Sequence, residues 1–224
     1  MMKVAVDAVV FGYSKEDGVS VLLIQRKYDP FKNAWALPGG FVLENESLEE
    51  AVHRELQEET GISVNYLEQL YTFGEPKRDS RQRIISVAYF GLVKTGLYQQ
   101  LKASTDAENA KWFSIKKIPV LAFDHKQILN VAIERLRAKI KYQPIGFELL
   151  DKKFPFSDLE KLYTVLHDKE INRRNFSKKI LSFGLLEETG GLSKSSGKGR
   201  PSKMYQFNQK RYKELLKEGF HFEI

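Results

Sequence analysis

The sequence predicts an α+β protein in two domains, residues 1–143 and 144–224. Three observations carry this reading. β-Branched apolar runs near the amino terminus are interleaved with amphipathic helical stretches; Pro144-Ile-Gly breaks the pattern like a hinge; and the charge balance changes beyond it. The 224 residues exceed one average domain, and 42% hydrophobic with 29% charged residues is the make-up of a chain that builds a core.

From the amino terminus, Val4–Phe11 and Val19–Gln25 read as buried strands joined by the turn-forming SKEDG. A loop rich in Pro, Gly and aromatics, YDPFKNAWALPGGF, leads into a helix over Ser47–Thr60. Ile84–Leu92 and Ala110–Phe113 read as further strands. Lys126–Lys141 carries Ile128, Val131, Ile133, Leu136 and Ile140 near helical spacing and closes the first domain. Beyond the hinge, Ser157–His167 and Asn172–Phe183 read as helices, and the loop SKSSGKGRPSK precedes a strand-like MYQFN.

Composition excludes several classes. No apolar run approaches the ~18 residues of a membrane span, and Asp7 interrupts the stretch where a signal peptide needs unbroken apolar residues. The absence of cysteine removes disulfides and thiolate metal sites and fits a cytoplasmic protein. Residues 1–144 are nearly neutral, with 20 Lys+Arg against 18 Asp+Glu, whereas residues 171–211 hold 10 against 2. Such concentration points to a polyanionic partner or to a solvated basic face.

The most informative stretch is the first helix. Ser47 with Glu50 forms a capping box, Gly61 supplies the stop, and Leu48, Val52 and Leu56 make a core-facing stripe. At 100° per residue Glu59 projects between Leu48 and Val52, along the edge of the buried stripe, where a carboxylate needs a partner. Glu55, Glu58 and Glu59 stand at i, i+3 and i+4, a like-charge arrangement that destabilises an isolated helix. Either they form a solvated face, or a hard cation such as magnesium reverses the sign.

From Gly40 the chain runs GFVLENESLEEAVHRELQEETGI: Gly, five residues, Glu, seven residues, then Arg-Glu-aliphatic-x-Glu-Glu-x-Gly-aliphatic. Chance agreement at every fixed position is on the order of one in a million or rarer. This stretch resembles the Nudix hydrolase family. The resemblance implies an α/β/α sandwich around a mixed sheet and cleavage of a nucleoside diphosphate linked to another moiety, such as ADP-ribose. It implies magnesium, with manganese as the alternative cation. Glu55 and Glu59 match metal ligands, Glu58 an auxiliary ligand or base, the carbonyl of Gly39 or Gly40 completes the shell, and Arg54 orients the carboxylates. Relatives acting on ADP-ribose take a water-positioning acid from a distant loop, for which Asp106 and Glu108 are the candidates here. Around this box Arg26 is placed to pair with a phosphate, and Arg78, Arg81 and Arg83 to reach the ligand. Tyr28, Phe31 and Trp35 stack a base or ribose, or else pack locally, the commoner role of an aromatic in such a loop.

Two helices, a short connection and a basic Gly-rich loop between strand-like ends follow the order of a winged helix-turn-helix. In that arrangement the second helix reads double-stranded DNA through Arg173, Arg174, Asn175, Ser177, Lys178 and Lys179, and the wing offers Lys194, Lys198, Arg200 and Lys203. A dimerisation or lid element is the alternative use of such a module. LAFDHKQIL, KYQPIGFELL, RRNFSKKIL and GRPSKMYQF together resemble the Nudix-related transcriptional regulators of NAD metabolism or sugar use. That resemblance implies a homodimer whose Nudix pocket senses ADP-ribose or a sugar. Many such regulators carry damaged glutamate boxes, whereas this box is intact. The leading expectation is therefore a magnesium-dependent ADP-ribose hydrolase that also regulates transcription, and the alternative is a non-catalytic ligand-sensing regulator.

Overall fold

The computed structural model describes residues 2–14, 18–64, 66–94, 107–167, 170–192 and 201–219. The chain divides into two compact units, Met1–Arg135 and Leu136–Ile224, and the division falls inside a helix, ahead of the Pro144 hinge.

The first unit is organised by β1 (Lys3–Ser14). It pairs antiparallel with β2 (Gly18–Arg26), parallel along its length with β6 (Ile84–Lys94), and antiparallel with the short β4 (Gly39–Phe41). β3 (Trp35–Ala36) and β7 (Ala107–Ser114) flank β2, and β5 (Tyr66–Phe73) flanks β6, so the sheet is mixed. Consecutive residues from Val6 to Phe11 are buried, which requires cover on both faces of the sheet, because side chains alternate along a strand. On one face Val6, Ala8, Val10 and Leu22 pack with Ala51, Val52 and Leu56 of α1 (Leu48–Thr60). The opposite face carries Asp7, which meets His125 at the start of α2 (His125–Tyr142). Most predicted elements recur with slightly different ends. The SKEDG turn has its central residues outside the described set.

The second unit holds β8 (Phe154–Pro155), α3 (Phe156–His167), α4 (Arg173–Ser182), β9 (Leu186–Leu192), β10 (Lys203–Phe207) and α5 (Gln209–Glu218). A small sheet in the order β8, β10, β9 backs the helices. Phe176 and Ile180 of α4 and Leu159, Leu162 and Tyr163 of α3 form its core, with the Tyr163 ring 5.1 Å from that of Phe176. Burial foremost pushes the Tyr163 hydroxyl far up, and it donates to the carbonyl of Ile145. Helix, short link, helix, strand and strand is the winged-helix order read from the sequence.

Candidate functional site

α1 positions the glutamate box. Ser47 accepts from the Glu50 backbone N–H while the Glu50 carboxylate accepts from that of Ser47, and Gly61 ends the helix in the left-handed conformation at φ 71°. This fixes the start and stop of α1, and thereby the azimuth of each glutamate. Leu48, Val52 and Leu56 face the core, and Glu59 lies beside them, 5% exposed. Its carboxylate accepts from the backbone N–H of Gly39 at 2.9 Å, the partner that a buried charge requires. Glu55 lies against Gly40, where an added Cβ would stand 2.2 Å from Glu55 Oε1, so only glycine leaves room for this carboxylate.

Arg54 ties the acidic face together. Its Nε and Nη2 donate to both oxygens of Glu46 at 3.0 and 2.7 Å, Nη1 donates to Glu55 at 2.8 Å and Glu58 at 3.1 Å, and Nη2 also donates to the Phe41 carbonyl. The Arg54 hydrogen bonds hold the Glu46 carboxyl down at about 2, and those from Glu46 foremost raise Arg54 further above its ordinary value. Sequence reasoning assigned Glu46 a place in the spacing but no role; the structure makes it the main anchor of Arg54. Glu58 is turned outward, its side chain 47% exposed.

Glu55 and Glu59 line a cleft of about 350 Å³ together with Arg54, Gly39, Gly40, Arg26, Arg81 and Tyr28. Among the described residues no three acidic or histidine side chains converge into a closed metal cage. Two carboxylates beside the Gly39–Gly40 backbone nevertheless suit magnesium, which keeps several waters and takes oxygens from a phosphate ligand.

The remaining predicted residues separate. Arg26 lines the cleft, donates Nε to the Pro30 carbonyl and Nη2 to that of Tyr28, and lies over the Phe123 ring. Arg81 lines it as well, forked onto Asp79. Arg78 lines it too, but forks onto Asp124 at 2.8 and 2.7 Å. Burial works against the Arg78 charge, but Asp124 and Asp7 outweigh it and raise its pKa. Arg83 donates instead to the Gly74 carbonyl and is not part of the lining. Trp35 packs edge-on against Phe113 at 4.7 Å and Phe31 against Phe123 at 4.8 Å; neither ring lines the cleft, which is the packing role weighed for both. Asp106 and the Glu108 side chain lie outside the described residues.

Asp7, Phe123 and His125 line the cleft without a role assigned from sequence. Asp7 accepts from Ser86 Oγ and from Arg78 Nη2 at 3.3 Å, and faces His125 Nε2 at 3.4 Å. His125 Nδ1 accepts from the Leu37 N–H at 2.9 Å, and burial pushes its pKa down. Phe123 takes a left-handed backbone at φ 51°. A signal existed for Asp7: a charge within an apolar strand has to be partnered.

In the second unit Asn172 caps α4 through the Asn175 N–H. Phe176 and Ile180 point inward, leaving Arg173, Arg174, Asn175 and Lys178 exposed and Ser177 and Lys179 half-buried. Arg173 pairs with Glu160 at 3.3 Å, and Lys203 on β10 pairs with Glu188 at 2.8 Å. The predicted wing residues Lys194, Lys198 and Arg200 lie outside the described residues.

Residues 1–135 match the NUDIX domain family, and residues 146–207 match the NrtR DNA-binding winged helix domain. The chain belongs to the NrtR-type Nudix regulators. Within this family setting, it is 35% identical over 206 residues to the ADPR responsive transcriptional repressor NtrR of Acinetobacter baylyi, covering 90% of this chain and 80% of that one. The structure of Shewanella oneidensis NrtR complexed with a 27mer DNA superimposes with a TM-score of 0.81 at 32% identity, covering 98% of this chain and 97% of that chain. The chain is also similar to the ADP-ribose pyrophosphatase of Methanocaldococcus jannaschii, 43% identical over 127 residues, which span 57% of this chain and 70% of the pyrophosphatase. The repressor and the DNA-bound structure thus match nearly the whole chain, and the pyrophosphatase matches a little over half of it. No described helix is long and apolar enough to cross a membrane.

Proposed function

We propose that this NrtR-type regulator is an ADP-ribose-responsive transcriptional repressor, with residues 1–143 binding ADP-ribose and residues 144–224 binding duplex DNA as a homodimer. The observation that carries the proposal is the joining, in one chain, of a Nudix cleft to a basic winged helix, in an arrangement shared with the Acinetobacter repressor over 90% of the chain. This ranks sensing above hydrolysis, reversing the order that the intact glutamate box alone favoured. In the cleft, Arg26, Arg78 and Arg81 are assigned to the diphosphate, and Arg54 with Glu46 to holding Glu55 in place. On the DNA side, Arg174, Asn175, Lys178 and Lys179 of α4 are assigned to contact, with Arg173 steered by Glu160 and Lys203 at the base of the wing.

The test is the affinity of the full chain for a duplex carrying the palindrome of its promoter, measured by fluorescence anisotropy with and without ADP-ribose. A change of at least ~5-fold is expected, the low end of ordinary allosteric coupling. Equal affinity in both conditions would refute the reading.

A second reading is favoured by one specific feature, the complete box with Glu55 and Glu59 seated at Gly39–Gly40. Retained hydrolysis of ADP-ribose then accompanies sensing. Bound magnesium or manganese would neutralise diphosphate oxygens and lower the pKa of a water at Glu55, Glu59 and the Gly39 or Gly40 carbonyl. The chain itself contributes the orientation of those two carboxylates, with Glu58 at the solvent edge as an auxiliary group. Incubation with ADP-ribose and magnesium should release AMP and ribose 5-phosphate, and Glu59→Gln should reduce that release at least ~100-fold, the upper end of what losing even an outer partner of a metal costs. Equal turnover by the variant would exclude this assignment, and saturable binding without turnover in the parent would leave a pure sensor.

A further inference from the structure

The segment Ala122–His125 meets a different wall of the cleft with each residue. The Ala122 N–H donates to the Trp35 carbonyl at 2.8 Å. The Phe123 ring lies 4.9 Å from the Arg26 guanidinium and 5.6 Å from that of Arg81. Asp124 takes the fork of Arg78, and His125 holds the Leu37 N–H, two residues ahead of the Gly39 that binds Glu59. Immediately after these contacts α2 begins, and it runs past Arg135 and Leu136, where the two units divide. Among the described residues, the one helix that belongs to both units therefore starts in the wall of the ligand cleft.

Arg78 is the exchangeable element of this wall. Its side chain is 5% exposed, yet it lines the cleft, and two carboxylates, Asp7 and Asp124, surround its single charge. A diphosphate entering the cleft brings further anionic oxygens to the same guanidinium, which forms charge-assisted bonds with phosphate as well as with carboxylate. Nε and Nη2 of Arg78 are given to Asp124 and Asp7, so a diphosphate that engages Nη1 draws the guanidinium toward itself and loosens its hold on Asp124, the residue that precedes α2. A ligand shifts a conformational equilibrium only through such a difference in interactions between two states.

We infer that Arg78, Asp124 and His125 are positioning residues through which a diphosphate in the cleft resets the start of α2 and so changes DNA affinity. The inference rests on the ADP-ribose-responsive reading above and assigns its route.

The experiment uses the full-length chain and its Asp124→Asn and His125→Leu variants, the second of which removes the acceptor of the Leu37 N–H. For each, duplex affinity is measured without ADP-ribose and at a concentration that calorimetry proves saturating for that variant. The parent ratio is expected at ~5-fold or more, and both variants are expected within ~2-fold of unity. Saturation removes any loss of ligand affinity from the readout, so a residue that merely shapes the cleft leaves the ratio intact. The same coupling must appear reciprocally as the change in ADP-ribose affinity between free and DNA-bound protein. Variants that respond like the parent overturn the inference alone, whereas a parent with no response overturns the functional reading and the inference together. Should one variant fail to bind duplex without ligand, as a misfolded chain would, the other decides by the same ratio.

Discussion

Glu46 and Arg54 make an acidic helix face compatible with a folded site: one guanidinium bridges Glu46, Glu55 and Glu58, while Glu59 is satisfied by a backbone amide. His125 reaches the opposite solution at the other wall, being buried as a hydrogen-bond acceptor. Burial foremost pushes its pKa down from 6.5, with Arg78 and Arg26 adding to this while Asp7 and Asp124 oppose it. The unfolded chain therefore takes up a proton near pH 6.5 that the folded chain refuses. Stability from this group is complete above that pH and is lost as pH falls below it toward the folded pKa. Both tryptophans, Trp35 and Trp112, lie in the first unit, so urea unfolding followed by tryptophan fluorescence reports that unit alone. Between about pH 7 and 5.5 the parent should lose stability more steeply than His125→Gln, whose amide accepts from Leu37 without titrating. Parallel slopes would assign the acid sensitivity to other groups.

At the scale of elements, local chemistry decided what was legible. α1 was readable because its cap, stripe and stop lie within one short continuous stretch, and the strands β1, β2 and β6 because their apolar runs are continuous. β5 was not: a bulge between Gln69 and Tyr71 places its buried Leu70 and Phe73 three apart, which is no strand period. α5 escaped because Leu215 alone is buried among charged residues. The cleft wall of Asp7, Arg78, Asp124 and His125 gathers distant segments, and only the fold brings them together. Two substitutions test elements that were legible. In Gly40→Ala the new methyl meets the Glu55 carboxylate, the far end of a side chain, which swings out of the cleft; the loss of stability should be small, and magnesium-dependent ligand binding should fall. Unchanged binding would mean that β4 yields instead. Asn172→Ala removes the α4 cap at a cost of about 1 kcal/mol, to be read by hydrogen exchange across α4, and duplex affinity should weaken as the start of the helix frays.

Across the whole molecule, charge is sorted by role. The first 144 residues are close to neutral, and the basic excess concentrates between residues 171 and 211. A duplex is bound largely by displacing its condensed counterions, so each phosphate contact adds about 0.9 to the slope of log affinity against log salt. Arg174 and Lys178 stand one turn apart on the exposed face of α4, while Arg173 is partly committed to Glu160. Replacing Arg174 and Lys178 together by alanine should therefore flatten the salt dependence by about 1.8 and weaken duplex binding, with ADP-ribose affinity of the free chain unchanged. Arg173→Ala should flatten it by less, because Glu160 already screens that charge. If the double variant keeps the parent slope, α4 does not meet the phosphates, and the basic excess serves solubility or another surface of the second unit. If it loses ADP-ribose affinity as well, the separation of roles between the two units is wrong, since neither residue belongs to the cleft.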